Sequence, residues 1–185
     1  TGKDNTCRKR FGWKLGELPM GYDHKYIYSQ IGYNLKSTDF QAAIGVAQLK
    51  KLPSFIIKRK ENYQSLYTFF KKYEKYFILM HPDKKADPCW FGFPAIVRAN
   101  APFTRNELTE YLEKNKIGTR NIFSGNLLRH PAYLDLKYKT AGKIVNADIV
   151  MHNAFWLGVY PGIDKEMMKY VEETVKRFMD GYPKS

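Results

Sequence analysis

The chain has 185 residues, 44% of them hydrophobic, which is enough for one ordinary core and excludes a chain that is disordered throughout. Its 31 Lys and Arg against 18 Asp and Glu give a net charge of +13, which suits nucleic acid, an anionic membrane face or acidic substrates. The two cysteines, Cys7 and Cys89, exclude a small disulfide-rich secreted domain and predict a reducing, cytoplasmic environment.

The basic residues occur in short groups such as Lys50-Lys51, Lys58 to Lys60, Lys71-Lys72 and Lys84-Lys85. They lie next to residues that recur at the spacing of a helix, which indicates solvent-exposed helix faces. No zinc-ligand spacing and no recognition-helix pattern accompanies them. We therefore expect no nucleic acid partner. No apolar stretch is long enough for a signal peptide or a membrane span, and the missing initiator Met leads us to expect a piece of a longer protein.

The first predicted helix follows an irregular stretch, residues 1–36, that is rich in Gly, Pro and Tyr. Thr38 with Gln41 predicts a capping box that opens an apolar run from Ala42 to Leu49. Pro53 fits the first turn of a second helix, so we expect two helices that meet at a bend. In the second helix, apolar residues recur at intervals of three, four or seven positions, as on one face of an α-helix: Ile56, Tyr63, Leu66 and Phe70.

Strands and helices alternate from about residue 75 onward. Strands are predicted over 78–80, 89–97, 117–122 and 154–160, and Cys89 is expected to pack in the core. Thr104 with Glu107 predicts a second capping box, residues 146–153 a short helix, and Asp164 the cap of a closing helix. That helix has one apolar face, made of Met168, Val171, Val175 and Phe178. This order predicts an α+β fold, with helices that cover an antiparallel sheet.

The segment GYNLKSTDFQAAIGVAQLKKL, residues 32–52, resembles GYNYRMTDIQAALGLAQL of sugar aminotransferases, and the chain is identified as a member of the DegT/DnrJ/EryC1/StrS family. The resemblance implies a type I pyridoxal-phosphate aminotransferase fold and an obligate homodimer. Residues 1–52 would be the tail of the large cofactor domain and the start of the linking helix. Residues 53–185 would be the small C-terminal domain.

Within this family the closer resemblance is to the CDP-4-keto-6-deoxyglucose 3-dehydrases, through DNTCRKRFGW, CWFGFP, GTRNIFSGNLLRHPAY and FWLGVYPG. It implies a pyridoxamine 5'-phosphate enzyme that removes the C3 hydroxyl of a CDP-sugar for 3,6-dideoxysugar, O-antigen and lipopolysaccharide biosynthesis. The cofactor is the electron sink of such a reaction. A flavin and iron-sulfur reductase would supply electrons through a [2Fe-2S] cluster.

Three residues near the start take cofactor roles from the resemblance. Cys7 matches the last cysteine of the family's C-x-C-x7-C motif, which implies a [2Fe-2S] ligand; an ordinary surface cysteine is the alternative. Asn34 matches an asparagine that reaches across the dimer to the cofactor phosphate, where a turn residue is the alternative. Lys36 stands where most relatives carry Arg, so it is either a phosphate contact or an exposed lysine.

The loop around residue 126 carries the expected substrate contacts. Asn126 and Arg129 occur together in the dehydrase branch, and Arg129 forms either a fork onto a diphosphate or sugar hydroxyl or a structural ion pair. Leu128 replaces the His of the PLHxxPAY pattern of many aminotransferases, which favours the dehydrase. His130, next to Pro131, is predicted to be a turn residue, and the lone His24 and His152 to be structural.

The resemblance places the catalytic base upstream, as a His in the dehydrases and a Lys in the aminotransferases. We therefore predict no catalytic residue in this chain and no activity of this chain alone. Two alternatives stay open: a pyridoxal-phosphate-dependent nucleotide-sugar aminotransferase, and an independent basic module that binds RNA or another anion.

Overall fold

The computed structural model describes residues 11–23, 26–28, 31–33 and 35–182. The chain divides into two compact units, residues 1–46 and 47–185. The α-helices are α1 (Asp39–Lys71), α2 (Arg105–Lys114), α3 (Pro131–Leu134), α4 (Val145–Asn153) and α5 (Lys165–Asp180). The strands are β1 (Phe77–Leu79), β2 (Gly92–Val97), β3 (Thr119–Arg120) and β4 (Ala154–Gly158), and a 3-10 helix spans Leu127–Arg129.

The four strands form one sheet in the order β1-β2-β4-β3. Every neighbouring pair is antiparallel, with Phe77 opposite Val97 and Phe93 opposite Leu157. Along β2, every second residue is buried, as expected for a strand with one face on a core. This confirms the predicted antiparallel α+β arrangement.

The core of the second unit lies between this sheet and helices α1, α2 and α5. Aromatic rings fill its centre, with Phe70 in edge or tilted contact with both Phe77 and Phe93. Of the four positions predicted for the apolar face of α5, Val171 is half-buried and the other three are buried. The fully buried side chains with the largest volumes are Phe70, Phe77, Phe93, Phe155, Leu66, Leu108, Leu112 and Leu157.

All three predicted N-caps are present. The backbone N–H of Thr38 donates to Gln41 Oε1 at 2.9 Å, and that of Gln41 donates to Thr38 Oγ1 at 3.4 Å. Thr104 and Glu107 make the same reciprocal pair at the start of α2. Asp164 Oδ1 accepts from the backbone N–H of the third residue of α5 at 2.8 Å. These caps confirm that local side-chain chemistry sets where the helices begin.

The predicted start of a second helix at Pro53 is wrong, because α1 is a single helix of 33 residues with Pro53 inside it. A proline inside a helix removes one backbone hydrogen bond and crowds the carbonyl one turn earlier, but its φ is helical, and α1 continues on both sides of Pro53. Ser54 Oγ donates to the Lys51 carbonyl at 2.7 Å within the same turn.

The prediction that Cys89 packs in the core is also wrong. Cys89 is exposed, because β2 begins only at Gly92 and buries its second, fourth and sixth residues. The aromatic and branched residues that follow Cys89 make the segment look like one long strand. Its first part is instead a connection without strand structure, which Arg59 Nη1 binds through the carbonyls of Trp90 and Phe91.

Candidate functional site

A polar cluster joins the loop after β3 to helix α4. Asn126 caps the 3-10 helix, and its Oδ1 accepts from the backbone N–H of Leu128 at 3.1 Å. Arg129 is the last residue of that helix, and Asp148 lies in the first turn of α4. The structure therefore brings together the two residues predicted to contact substrate, and it adds Asp148, which the sequence did not single out.

Asp148 is the centre of this cluster. Its Oδ1 accepts from Asn126 Nδ2 at 2.7 Å and from Arg129 Nε at 3.1 Å, and its Oδ2 accepts from Arg129 Nη2 at 3.0 Å. The two bonds from Arg129 form a parallel fork, the geometry in which an arginine holds a carboxylate most firmly. Asn126 is only 3% exposed, so its amide depends on Asp148 for an acceptor.

The cluster shifts the titration of both charged groups. Hydrogen bonds from Arg129, followed by one from Asn126, lower the pKa of Asp148 from 3.8 to about 2. The hydrogen bond to Asp148 raises the pKa of Arg129. Asp148 therefore stays ionised and Arg129 stays charged at neutral pH, and the carboxylate neutralises one of the basic groups of this region.

This shift predicts acid lability of the second unit. Because the folded pKa of Asp148 lies below its unfolded value, the stability that the carboxylate contributes is complete above about pH 4 and is lost as the pH falls toward 2. We expect the thermal unfolding midpoint to fall over this interval. Circular dichroism melts of the purified chain between pH 2 and 6 measure it.

The matched variants are Asp148→Asn and Asp135→Asn, the second at an exposed carboxylate. Asp148→Asn should reduce the fall of the thermal unfolding midpoint with decreasing pH, the acid slope, whereas Asp135→Asn should leave that slope unchanged. Some slope will remain in Asp148→Asn, since backbone N–H groups also lower the pKa of Glu107 and of Glu113. Equal slopes in both variants would contradict the assignment.

A cavity of about 420 Å³ lies beside the cluster. One wall is the loop from Asn121 to Gly125, and the others come from Arg105, from residues 129–131 and from residues of α4. The loop is unusual because Phe123 has a φ of 43° and Gly125 a φ of 61°. Gly125 is required there, since an added Cβ would lie 2.6 Å from the Cα of Met151 in α4.

Two histidines line the same cavity and are held by backbone carbonyls. His130 Nε2 lies 2.8 Å from the Ser124 carbonyl, and His152 Nδ1 lies 2.9 Å from the Asp148 carbonyl. Each ring therefore has one nitrogen engaged in the local structure. This agrees with the turn role expected for His130 and with the structural role expected for His152.

The cofactor residues predicted near the start are largely beyond what the structure describes. Cys7, Asn34 and the lone His24 lie outside the described residues. Lys36 is exposed, two positions before the N-cap Thr38, so its ammonium is accessible to an anion. This exposure is compatible with both roles expected for Lys36, a phosphate contact or an ordinary surface lysine, so its cofactor role stays a prediction.

Sequence reasoning missed Asp148 and Arg105 because both meet the loop only after the chain has folded. Asp148 is 22 residues from Asn126, and Arg105 is 16 residues from Asn121, its hydrogen-bond partner. The only feature of the sequence that points to Asp148 is its place in the first turn of α4. An acidic residue is common there, because it interacts favourably with the helix dipole.

The comparisons with known proteins agree with the fold and with the motifs. The model of the DegT/DnrJ/EryC1/StrS aminotransferase family matches residues 11–176. The chain belongs to this family. The family's fold is also found in a solved structure, the Escherichia coli GDP-4-keto-6-deoxy-D-mannose-3-dehydratase with bound hydrated PLP. It matches with a TM-score of 0.70 and 26% identity, over 91% of this chain and 45% of that one.

Two family members share nearly half of their matched residues with this chain. The lipopolysaccharide biosynthesis protein RfbH of Salmonella typhimurium is 45% identical over 96% of the chain and 40% of RfbH. The dTDP-4-dehydro-2,6-dideoxy-D-glucose 3-dehydratase of Saccharopolyspora spinosa is 46% identical over 96% of the chain and 38% of that protein. The chain thus spans about two fifths of the length of these relatives. No helix among the described residues is long and apolar enough to cross a membrane.

Proposed function

We propose that this chain is the C-terminal part of a cytoplasmic, pyridoxamine 5'-phosphate-dependent nucleotide-sugar 3-dehydratase. Its substrate would be CDP-4-keto-6-deoxyglucose, and its product would serve 3,6-dideoxysugar and lipopolysaccharide biosynthesis. The observation that carries the proposal is the identity of 45 and 46%, over 96% of the chain, to RfbH and to a 3-dehydratase. The share of those proteins that is matched supports a longer parent protein.

The choice of reaction has support from the loop after β3. Leu128 stands where many aminotransferases carry a His, and its neighbours Asn126 and Arg129 are those of the dehydrase branch. The identity of the nucleotide has weaker support than the choice of reaction. The similar 3-dehydratase of Saccharopolyspora spinosa acts on a dTDP-sugar by its name, so the cytidine assignment depends on the motifs of the resemblance.

Arg129 would bind the substrate with the part of its guanidinium that Asp148 does not use. Asp148 engages Nε and Nη2, while Nη1 makes no hydrogen bond within the described residues. The Asp148 fork would therefore orient Arg129 and leave one donor edge for a diphosphate or sugar oxygen. Asn126 is buried, so it would serve the substrate contact by holding the loop through its hydrogen bonds with Leu128 and Asp148.

Cofactor contacts would come from the first unit. Asn34 and Lys36 would hold the phosphate of the cofactor, an amide donor and a cation for an acceptor-rich anion. Pyridoxamine phosphate, when bound, supplies the electron sink that lets the C3 hydroxyl leave. The proton-transfer base would lie in the part of the parent protein that precedes this chain, and the parent would act as a homodimer.

Cys7 would be one ligand of a [2Fe-2S] cluster that receives electrons from a flavin and iron-sulfur reductase. We predict that the parent protein, purified without oxygen, contains iron and acid-labile sulfide, and that Cys7→Ser removes most of both. The rate of sugar deoxygenation in the presence of the reductase should fall in Cys7→Ser together with the iron and sulfide content. The matched control is Cys89→Ser, at an exposed cysteine, which should retain iron, sulfide and activity.

The outcomes separate the alternatives. A parent without iron that transfers an amino group from glutamate to the sugar would be an aminotransferase, and the proposal would be wrong. Turnover of dTDP- or GDP-linked 4-keto sugar in preference to the CDP-linked one would retain the reaction and correct the nucleotide. Dehydration by the 185-residue chain alone would overturn the assignment of the base to an upstream segment.

A further inference from the structure

The cavity beside the loop from Asn121 to Gly125 has an unbalanced charge. Four of its lining residues are arginines or histidines: Arg105, Arg129, His130 and His152. None of the described residues that line it is an Asp or a Glu. Of the four, Arg129 is already neutralised by the fork of Asp148. The remaining positive charge therefore centres on Arg105.

Arg105 has no anionic partner within the described part of the chain. Its Nη1 donates to Asn121 Oδ1 and more weakly to the Ala154 carbonyl at 3.5 Å. Its Nε is buried without an acceptor, and the ion pairs of the described residues do not include it. Guanidinium groups that are half-buried usually have a carboxylate, phosphate or other oxyanion beside them.

The loop that forms the cavity wall is held in a costly conformation. Phe123 is a bulky residue with a φ of 43°, a backbone region that L residues rarely occupy, and its side chain is 87% exposed. Exposed aromatic surface and left-handed backbone are both unfavourable for the chain by itself. Such features concentrate at ligand-binding loops, where the bound molecule covers the ring.

We propose that this cavity is an oxyanion-binding site in which Arg105 is the principal cation. The ligand would carry a phosphate or carboxylate group against Arg105 and an uncharged part against Phe123. The volume of about 420 Å³ exceeds what one phosphate needs and fits a ligand of the size of a small organic anion. Because Arg129 lines the same cavity, this site would be part of the substrate site proposed above, and the inference rests on that proposal. The anion titration below tests the site, whereas the iron and dehydration measurements test the reaction, so the two can fail separately.

The test is calorimetric titration of the 185-residue chain with inorganic pyrophosphate and, separately, with succinate. The variants are Arg105→Gln and Arg120→Gln, which remove the same charge, the second at an exposed arginine in β3 that does not line the cavity. Arg105→Gln should weaken binding about tenfold or more, the effect of losing a charged hydrogen-bond donor, and Arg120→Gln less than about twofold. The tighter of the two probes identifies the phosphate or the carboxylate source.

A second measurement stands without any variant, because Arg105→Gln can disturb α2. In two-dimensional NMR spectra of the wild-type chain, pyrophosphate or succinate should shift the backbone amides of 121–125 and 151–152 most strongly. Shifts spread over the lysine-rich surfaces would overturn the proposal, since a chain of net charge +13 attracts anions without a site. Equal weakening in both variants, or no binding at about 10 mM of either probe, would overturn it too.

Discussion

Phe70→Ala should lower the free energy of unfolding of the second unit by about 3–5 kcal/mol, the range for truncating a buried phenylalanine. Phe70 is fully buried, and its ring contacts those of Phe69, Phe77 and Phe93. Its loss would leave a void that aromatic neighbours cannot fill without leaving their own positions. Urea unfolding followed by circular dichroism of the 185-residue chain measures the change.

The control for this prediction is Phe123→Ala, which removes the same atoms from a side chain that is 87% exposed. We expect a change of about 0.5 kcal/mol or less there, as for other surface substitutions. A comparable loss in both variants would mean that the Phe70 cluster is not the centre of the core. The contrast also separates the stability of the fold from the ligand contact proposed for Phe123.

Gly125→Ala should cost about 2–5 kcal/mol, the sum of a left-handed backbone penalty and of overpacking against a neighbouring helix. Gly125 has a φ of 61°, and a Cβ there would meet both Cα and Cβ of Met151 at 2.6 Å. Because one of these atoms is backbone, the clash cannot be relieved by turning a side chain. The loop, or α4, would have to move, and the cavity wall with it.

Gly142→Ala separates the two contributions to this cost. Gly142 has a φ of 77° but nothing within 4 Å of the added Cβ, so only the backbone penalty of about 1–2 kcal/mol applies. Urea unfolding of both variants, with the NMR shift of the Met151 amide as a local probe, measures the difference. Equal losses of stability and an unmoved Met151 amide would show that the loop does not press on α4.

Local chemistry made the element boundaries predictable where one side chain decides them. Thr104 with Glu107 and Asp164 each satisfy backbone N–H groups within one turn, so the start of α2 and of α5 could be derived from neighbouring residues alone. Pro53 shows the limit of this reasoning. Its missing N–H indicates a helix start, but α1 tolerates the loss and continues to Lys71.

Burial was less predictable than secondary structure. The aromatic residues after Cys89 predict a long buried strand, yet the ladder with β4 begins at Gly92 and the segment before it is exposed or half-buried. Strand ends depend on which backbone groups the partner strand reaches, and that partner lies more than 60 residues later. No pattern within one segment contains this information.

The sequence by itself determined the family, the antiparallel α+β class and the identity of Asn126 and Arg129 as neighbours in one loop, because motifs and periodicity are properties of adjacent residues. Only the tertiary structure decided that Asp148 joins those two side chains and that Arg105 stands without an anionic partner among the described residues. Charge pairing depends on distance in space. These partners come from helices separated from the loop by 16 and 22 residues, and only folding brings them within hydrogen-bond reach.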